Sequence, residues 1–199
     1  MRRDLDRETL DIAMRSLAIR LDENRSDLME IVICGGSALI LTRTVLRTTR
    51  DVDVVALIKA GHLASPAPLP DALLKAVAEV AEDLGLESNW LNNGPSHDEG
   101  GLFQMGLPVG FVERLTSVKY GARLTAHFVD RLDHIYFKLY AAVDRGGYHI
   151  EDLRALDPTP EELEAAASWS MTHDVSGGFR MLLKRLLKEL GYEGIAERI

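Results

Sequence analysis

Two short runs separated by thirteen residues constrain the fold of this chain most. Ile31-Val32-Ile33-Cys34 closes on Gly35-Gly36-Ser37, and Asp51-Val52-Asp53-Val54 opens a second apolar stretch that continues to Ile58. A short, partly β-branched apolar run over 30–34 reads as a buried strand, which the two glycines end. Ser37 is then placed to cap a helix from Ala38 to about Val45. Over 50–58 the aspartates alternate with valines before the run becomes wholly apolar, as in a strand that starts exposed and ends buried. The thirteen residues between Ser37 and Asp51 suffice for one helix and a turn that set the second strand beside the first.

A strand, Gly-Gly-Ser and a helix together present main-chain N–H groups and the positive end of a helix dipole, an environment suited to phosphate oxygens. The same turn is also an ordinary structural element, and it has neither the lysine of a P-loop nor the spaced glycines of a dinucleotide fingerprint. Asp51 and Asp53, two apart on a strand, project to one face and can ligate one divalent cation or bridge two. Taken alone they also suit a solvated strand start. Phosphoryl and nucleotidyl transfer require both groupings at once, because a triphosphate arrives with a metal that neutralises its charge.

With 199 residues, 46% hydrophobic and 27% charged, the chain can bury a substantial core. Acidic residues outnumber basic ones by 31 to 23, and the net charge of −8 gives no general attraction for nucleic acid. Any such contact rests on a local basic patch. A single cysteine, Cys34, excludes intramolecular disulfides and cysteine-rich zinc sites and reads as a buried core thiol. The N-terminal segment lacks the apolar stretch of a signal peptide, and no apolar run approaches the roughly 18 residues of a membrane span. The expected location is the cytoplasm.

Helical periodicity marks 9–21 and 71–84, the latter stopped by Gly85. The proline-bearing segment 61–70 reads as a loop, and polar, glycine-rich 92–101 as a long mobile surface loop. Residues 111–119 and 123–129 flank Tyr120-Gly121-Ala122 as a hairpin. Helices follow over 132–142, 160–169 and 179–190. The expected fold is α/β (α+β): a small mixed sheet with flanking helices over 1–130, and a helical C-terminal region over 131–199 packed on that core.

Cys34-Gly35-Gly36-Ser37-Ala38-Leu39 with Arg47-Thr48-Thr49-Arg50-Asp51-Val52-Asp53 resembles the signature of the nucleotidyltransferase superfamily related to DNA polymerase beta. Its wider wording is similar to the branch holding the AbiEii abortive-infection toxins and uncharacterised bacterial relatives. The later segment Asp133 to Ala142, followed by Arg145 and Glu151-Asp152-Leu153-Arg154, resembles that branch as well, so the likeness runs from about Ile31 to Trp169. It implies a Mg²⁺- or Mn²⁺-dependent enzyme that moves a nucleotidyl group from an NTP to an acceptor hydroxyl. Asp51 and Asp53 would hold the metal, Gly35, Gly36 and Ser37 the triphosphate, and Lys138 a phosphate or the base, with Asp152 completing the site. It further implies an acceptor such as tRNA, another RNA or a protein, and an antitoxin partner. No membrane partner is expected. The strand 124–128, where a third carboxylate is expected, has none, and Tyr148 and His149 replace the usual basic and acidic pair. Two alternatives stay open: Glu151 and Asp152 serve instead, or the chain is an inactive nucleotide-binding or interaction module of the same fold.

Several residues carry bland readings beside the functional ones. Lys138 also fits a solvated helix face. Arg43, Arg47 and Arg50 can gather into a patch for phosphate or RNA, can pair with acidic neighbours, and Arg50 can tether Asp51 or Asp53. His173-Asp174 reads as a solvated helix end, and Trp90 and Trp169 as packing residues. The helix 179–190 reads as a core or partner helix with Met181, Leu182, Leu183, Leu186, Leu187 and Leu190 facing inward.

Overall fold

The computed structural model describes residues 4–98 and 100–199 and divides into two compact units, Met1–Val129 and Asp130–Ile199. The first unit is a mixed α/β layer. Its helix α1 (Arg7–Glu23) starts at Asp6, whose carboxylate accepts from the Thr9 N–H at 2.8 Å, and it buries Leu10, Met14, Leu17 and Leu21. Strand β1 (Met29–Cys34) leads into helix α2 (Gly35–Leu41), and β2 (Val52–Lys59) follows. Next come β3 (His62–Ala64), α3 (Asp71–Leu84), β4 (Leu91–Asn92), α4 (Leu102–Met105), β5 (Thr116–Lys119) and β6 (Leu124–Phe128).

The six strands run in the order β3-β2-β1-β6-β5, with β4 also paired to β2. β1 is antiparallel to β2 and parallel to β6, so it is flanked on both sides. Ile31, Val32, Ile33 and Cys34 are all buried, as an unbroken apolar run on a central strand requires. β3 and β4 share the outer edge of β2, β3 antiparallel near Leu57 and β4 parallel at Val52 and Asp53. Helix α3 packs on α1, with Arg20 of α1 paired to Asp83 at 2.5 Å, and it ends in a left-handed Gly85.

The second unit is helical: α5 (Arg131–Arg145), α6 (Tyr148–Ala155), α7 (Pro160–His173), α8 (Gly177–Glu189) and α9 (Glu193–Arg198). α5 packs on α6, α7 and α8. Its start is capped by Asp130, and α7 carries a full capping box of Thr159 and Glu162 with Pro160 in the first turn. Among the described residues no helix is long and apolar enough to cross a membrane.

Four expectations change. The segment read as a loop from residue 92 carries regular structure over its first half. Leu91 and Asn92 form β4, a 3₁₀ turn follows at Gly94–Ser96, and fully buried Ser96 donates to the Val55 carbonyl at 2.8 Å. Burying that hydroxyl with a partner ties the segment to the sheet. The glycine turn enters its helix earlier than expected, because Gly35, at φ +71, turns the chain at once. Met181 and Leu182 face outward, at 67% and 49% exposure, since the buried arc of α8 runs through Phe179, Leu183, Leu186 and Leu187. His173 is buried against Trp169, with ring centroids 3.9 Å apart, rather than solvated.

Candidate active site

Asp53 sits on β2 directly opposite Cys34, the last residue of β1. That pairing brings its carboxylate to the glycine turn. A Cβ on Gly35 would lie 2.7 Å from Asp53 Oδ2, and one on Gly36 would lie 2.7 Å from Arg47 Nη2 and 3.0 Å from Thr49 Oγ1. The bare backbone of the two glycines therefore accommodates a carboxylate and a guanidinium side by side. The loop that carries Arg47 and Thr49 is fixed by a two-way bridge between Leu5 and Thr49, whose N···O distances are 2.7 and 2.9 Å.

Asp51 precedes β2 and, like Asp53, is half-buried, while Val52 and Val54 between and beyond them are fully buried. Asn92 on β4 is the strand partner of Asp53, and its carboxamide Nδ2 donates to Asp51 Oδ2 at 3.5 Å. Directly paired residues share a sheet face, so Asp51, Asp53 and Asn92 lie on one face.

Ser37 does not cap α2. Cys34 holds the cap position without a side-chain bond, and Ser37 Oγ, fully buried, donates to the Cys34 carbonyl at 3.3 Å. Its hydroxyl is spent on the turn's own backbone. Arg50 is solvent-exposed, and of the three arginines it is Arg47 whose guanidinium lies over Gly36. Sequence reasoning overlooked Asn92. A two-residue strand is too short to leave a periodicity, and the apolar pair Trp90-Leu91 ahead of it was the one available signal.

In the second unit Lys138 and Asp152 face each other across α5 and α6, with Nζ and Oδ2 2.7 Å apart and side chains 5% and 3% exposed. Lys138 is thus not a solvated lysine. Its ammonium also lies 5.6 Å from the Tyr148 ring centroid. One turn back, His134 is buried and its Nδ1–H donates to the Asp130 carbonyl at 3.0 Å. Burial first, and the Lys138 charge second, hold its pKa down at about 4.

Residues 10–157 match the model of a family described as a nucleotidyltransferase of unknown function (DUF6036). The chain belongs to this family. Membership of DUF6036 accounts for the mixed sheet with flanking helices and implies a nucleotide substrate. No curated protein and no solved structure matches the chain.

Among the described residues no group of three or more His, Cys, Asp and Glu is arranged to hold a metal. Two carboxylates are nevertheless a suitable donor set for Mg²⁺, which keeps several waters and commonly takes one or two protein carboxylates together with substrate phosphates. Asp51 and Asp53, on one face and half-exposed, fit that requirement.

Proposed function

We propose that this DUF6036 chain is a Mg²⁺-dependent nucleotidyltransferase that transfers a nucleotidyl group from an NTP to an acceptor hydroxyl at the Gly35-Gly36/Asp51-Asp53 site. The observation that carries the reading is the placement of the Asp53 carboxylate against Gly35 beside the Arg47 guanidinium over Gly36. It sets a cation-binding group and an anion-binding group on adjacent bare backbone.

In this reading Asp51 and Asp53 hold Mg²⁺ or Mn²⁺, which when bound neutralises charge on the attacked phosphate and on the leaving pyrophosphate. Arg47 and the main-chain N–H groups of Gly36 and Ser37 orient the triphosphate. The acceptor hydroxyl oxygen attacks the α-phosphorus and gives up its proton to solvent, the bond to the β-phosphate oxygen breaks, and pyrophosphate departs with the electron pair. Asn92 holds Asp51 in orientation through its carboxamide. Lys138, with Asp152, is assigned a phosphate contact on the family resemblance alone. An RNA or protein acceptor, and a toxin-like role with an antitoxin partner, belong to the proposal on the same ground.

One observation favours a second reading. The residue paired to Asp53 from β4 carries a carboxamide rather than an acid, so no general base faces the aspartates from that strand. A nucleotide-binding module without turnover has this composition.

Calorimetry with Mg²⁺ and each NTP, paired with transfer of α-phosphate label to total RNA or lysate, separates the two. We expect wild type to bind at least one NTP and Asp53→Ala to weaken that binding at least tenfold, with an unchanged circular dichroism melt. Binding without transfer to any acceptor favours the module. Absence of NTP binding by wild type sinks both readings.

A further inference from the structure

Across three neighbouring strands runs a hydrogen-bonded chain that the proposed site does not use. Ser117 Oγ on β5 lies 2.7 Å from His127 Nδ1 on β6, and His127 Nε2 lies 2.9 Å from Glu30 Oε2 on β1. The register explains the assembly: Ser117 pairs with His127, Thr125 pairs with Glu30, and residues two apart share a face. An ionised carboxylate only accepts hydrogen bonds, so Nε2 carries the imidazole proton and donates it to Glu30. Nδ1 is then a lone-pair acceptor, and the Ser117 hydroxyl donates to it. Four other serine hydroxyls donate to main-chain carbonyls: Ser37 to that of Cys34, Ser65 to that of Ala67, Ser96 to that of Val55 and Ser168 to that of Glu164. The Ser117 hydroxyl instead rests on a base that a carboxylate orients, the arrangement that activates a hydroxyl nucleophile.

Access points the same way. Ser117 is exposed on β5, the last strand of the sheet path, whereas the His127 side chain is only 11% exposed and the Glu30 side chain 40% exposed. The hydroxyl is thus presented to solvent while its base is sheltered.

We propose that Ser117 is a nucleotidyl acceptor on this chain itself, with His127 as general base and Glu30 as positioning residue; this rests on the nucleotidyltransferase reading above. Ser117 Oγ attacks the α-phosphorus of the NTP and forms a phosphodiester. The bond to the β-phosphate oxygen breaks, pyrophosphate leaves, and the hydroxyl proton passes to His127 Nδ1, where Glu30 stabilises the imidazolium. β5 stands three strands from β2, about 14 Å at the usual strand spacing, which is beyond the reach of a serine side chain. The donor site is therefore that of a second copy, and the modification passes between molecules.

The full-length protein is incubated with Mg²⁺ and each NTP labelled at the α- or the γ-phosphate, the modified peptide is mapped by mass spectrometry, and NTP binding is measured in parallel by calorimetry. The expected result is α-label on Ser117, reduced at least tenfold in Ser117→Ala and in His127→Gln. Asp53→Ala alone stays unlabelled but acquires label on Ser117 when mixed with Ser117→Ala, which acts as donor. Wild type that binds Mg-NTP yet remains unlabelled, or label that persists in Ser117→Ala, overturns the inference and leaves the nucleotidyltransferase reading standing, whereas γ-label on Ser117 marks phosphoryl transfer and overturns both. Unreduced labelling of His127→Gln overturns the role given to the imidazole. Failure of wild type to bind any NTP removes the nucleotidyltransferase reading and this inference with it.

Discussion

Gly35 and Gly36 are adjacent, yet different forces require each of them to be glycine. Gly35 combines a left-handed φ of +71 with a carboxylate where its Cβ would be. Gly35→Ala meets both a backbone cost of about 1–2 kcal/mol and a clash with Asp53. Gly36 has ordinary helical backbone, and its Cβ would meet the far end of the Arg47 side chain at 2.7 Å, which can swing away, and Thr49 Oγ1 at 3.0 Å, which a small rotation of the threonine side chain relieves. Replacing a helical glycine by alanine gains up to about 1 kcal/mol. Gly36→Ala is therefore expected to melt at or above the wild-type temperature while losing Mg-NTP affinity several-fold, and Gly35→Ala to lose both. Thermal melts and calorimetry on the two variants check this contrast. The Asp51/Asp53 pair was legible in the sequence because strand alternation is local. The positions of Arg47 and Asn92 were not, since they depend on the Leu5–Thr49 bridge and on the pairing of a two-residue strand.

Among the elements, α5 and α6 show how a local signal can end and a tertiary one take over. Gly146 and Gly147, both at positive φ, break the helical path between them, and α6 is short with a weakly apolar face. Its existence as a separate helix was not apparent from periodicity. The buried Lys138–Asp152 pair joins the two helices. Lys138→Met leaves Asp152 a buried charge without that ammonium and is expected to destabilise by about 3–5 kcal/mol. The double variant Lys138→Met/Asp152→Leu removes both charges and is expected to recover most of that loss. Urea denaturation of the two variants tests the pair, and a double variant as unstable as the single one would contradict it. The same comparison isolates any effect of Lys138 on NTP binding from its effect on stability.

For the whole chain, His134 sets a pH limit on stability. Folded, it stays neutral down to about pH 4, whereas an unfolded histidine takes up its proton near pH 6.5. Between these values the unfolded chain binds a proton that the folded one refuses. Stability is therefore full above about pH 6.5 and falls as pH drops toward 4, by a total on the order of 3 kcal/mol. Denaturation at pH 7 and pH 4.5 should show a smaller loss in His134→Leu than in wild type, and equal losses would contradict the assignment. Trp169, within the helical unit, serves as the reporter.

The sequence by itself determined the central apolar strand, the glycine turn, the aspartate pair and the helical character beyond residue 130. Each is written in contacts between residues a few positions apart, where periodicity and backbone preference act. Only the tertiary structure decided that Asp53 stands against Gly35, that Arg47 covers Gly36, that Asn92 reaches Asp51 and that Ser117, His127 and Glu30 meet. Those placements follow from strand register and order, which join residues as far apart as Glu30 and His127 and leave no trace in local spacing.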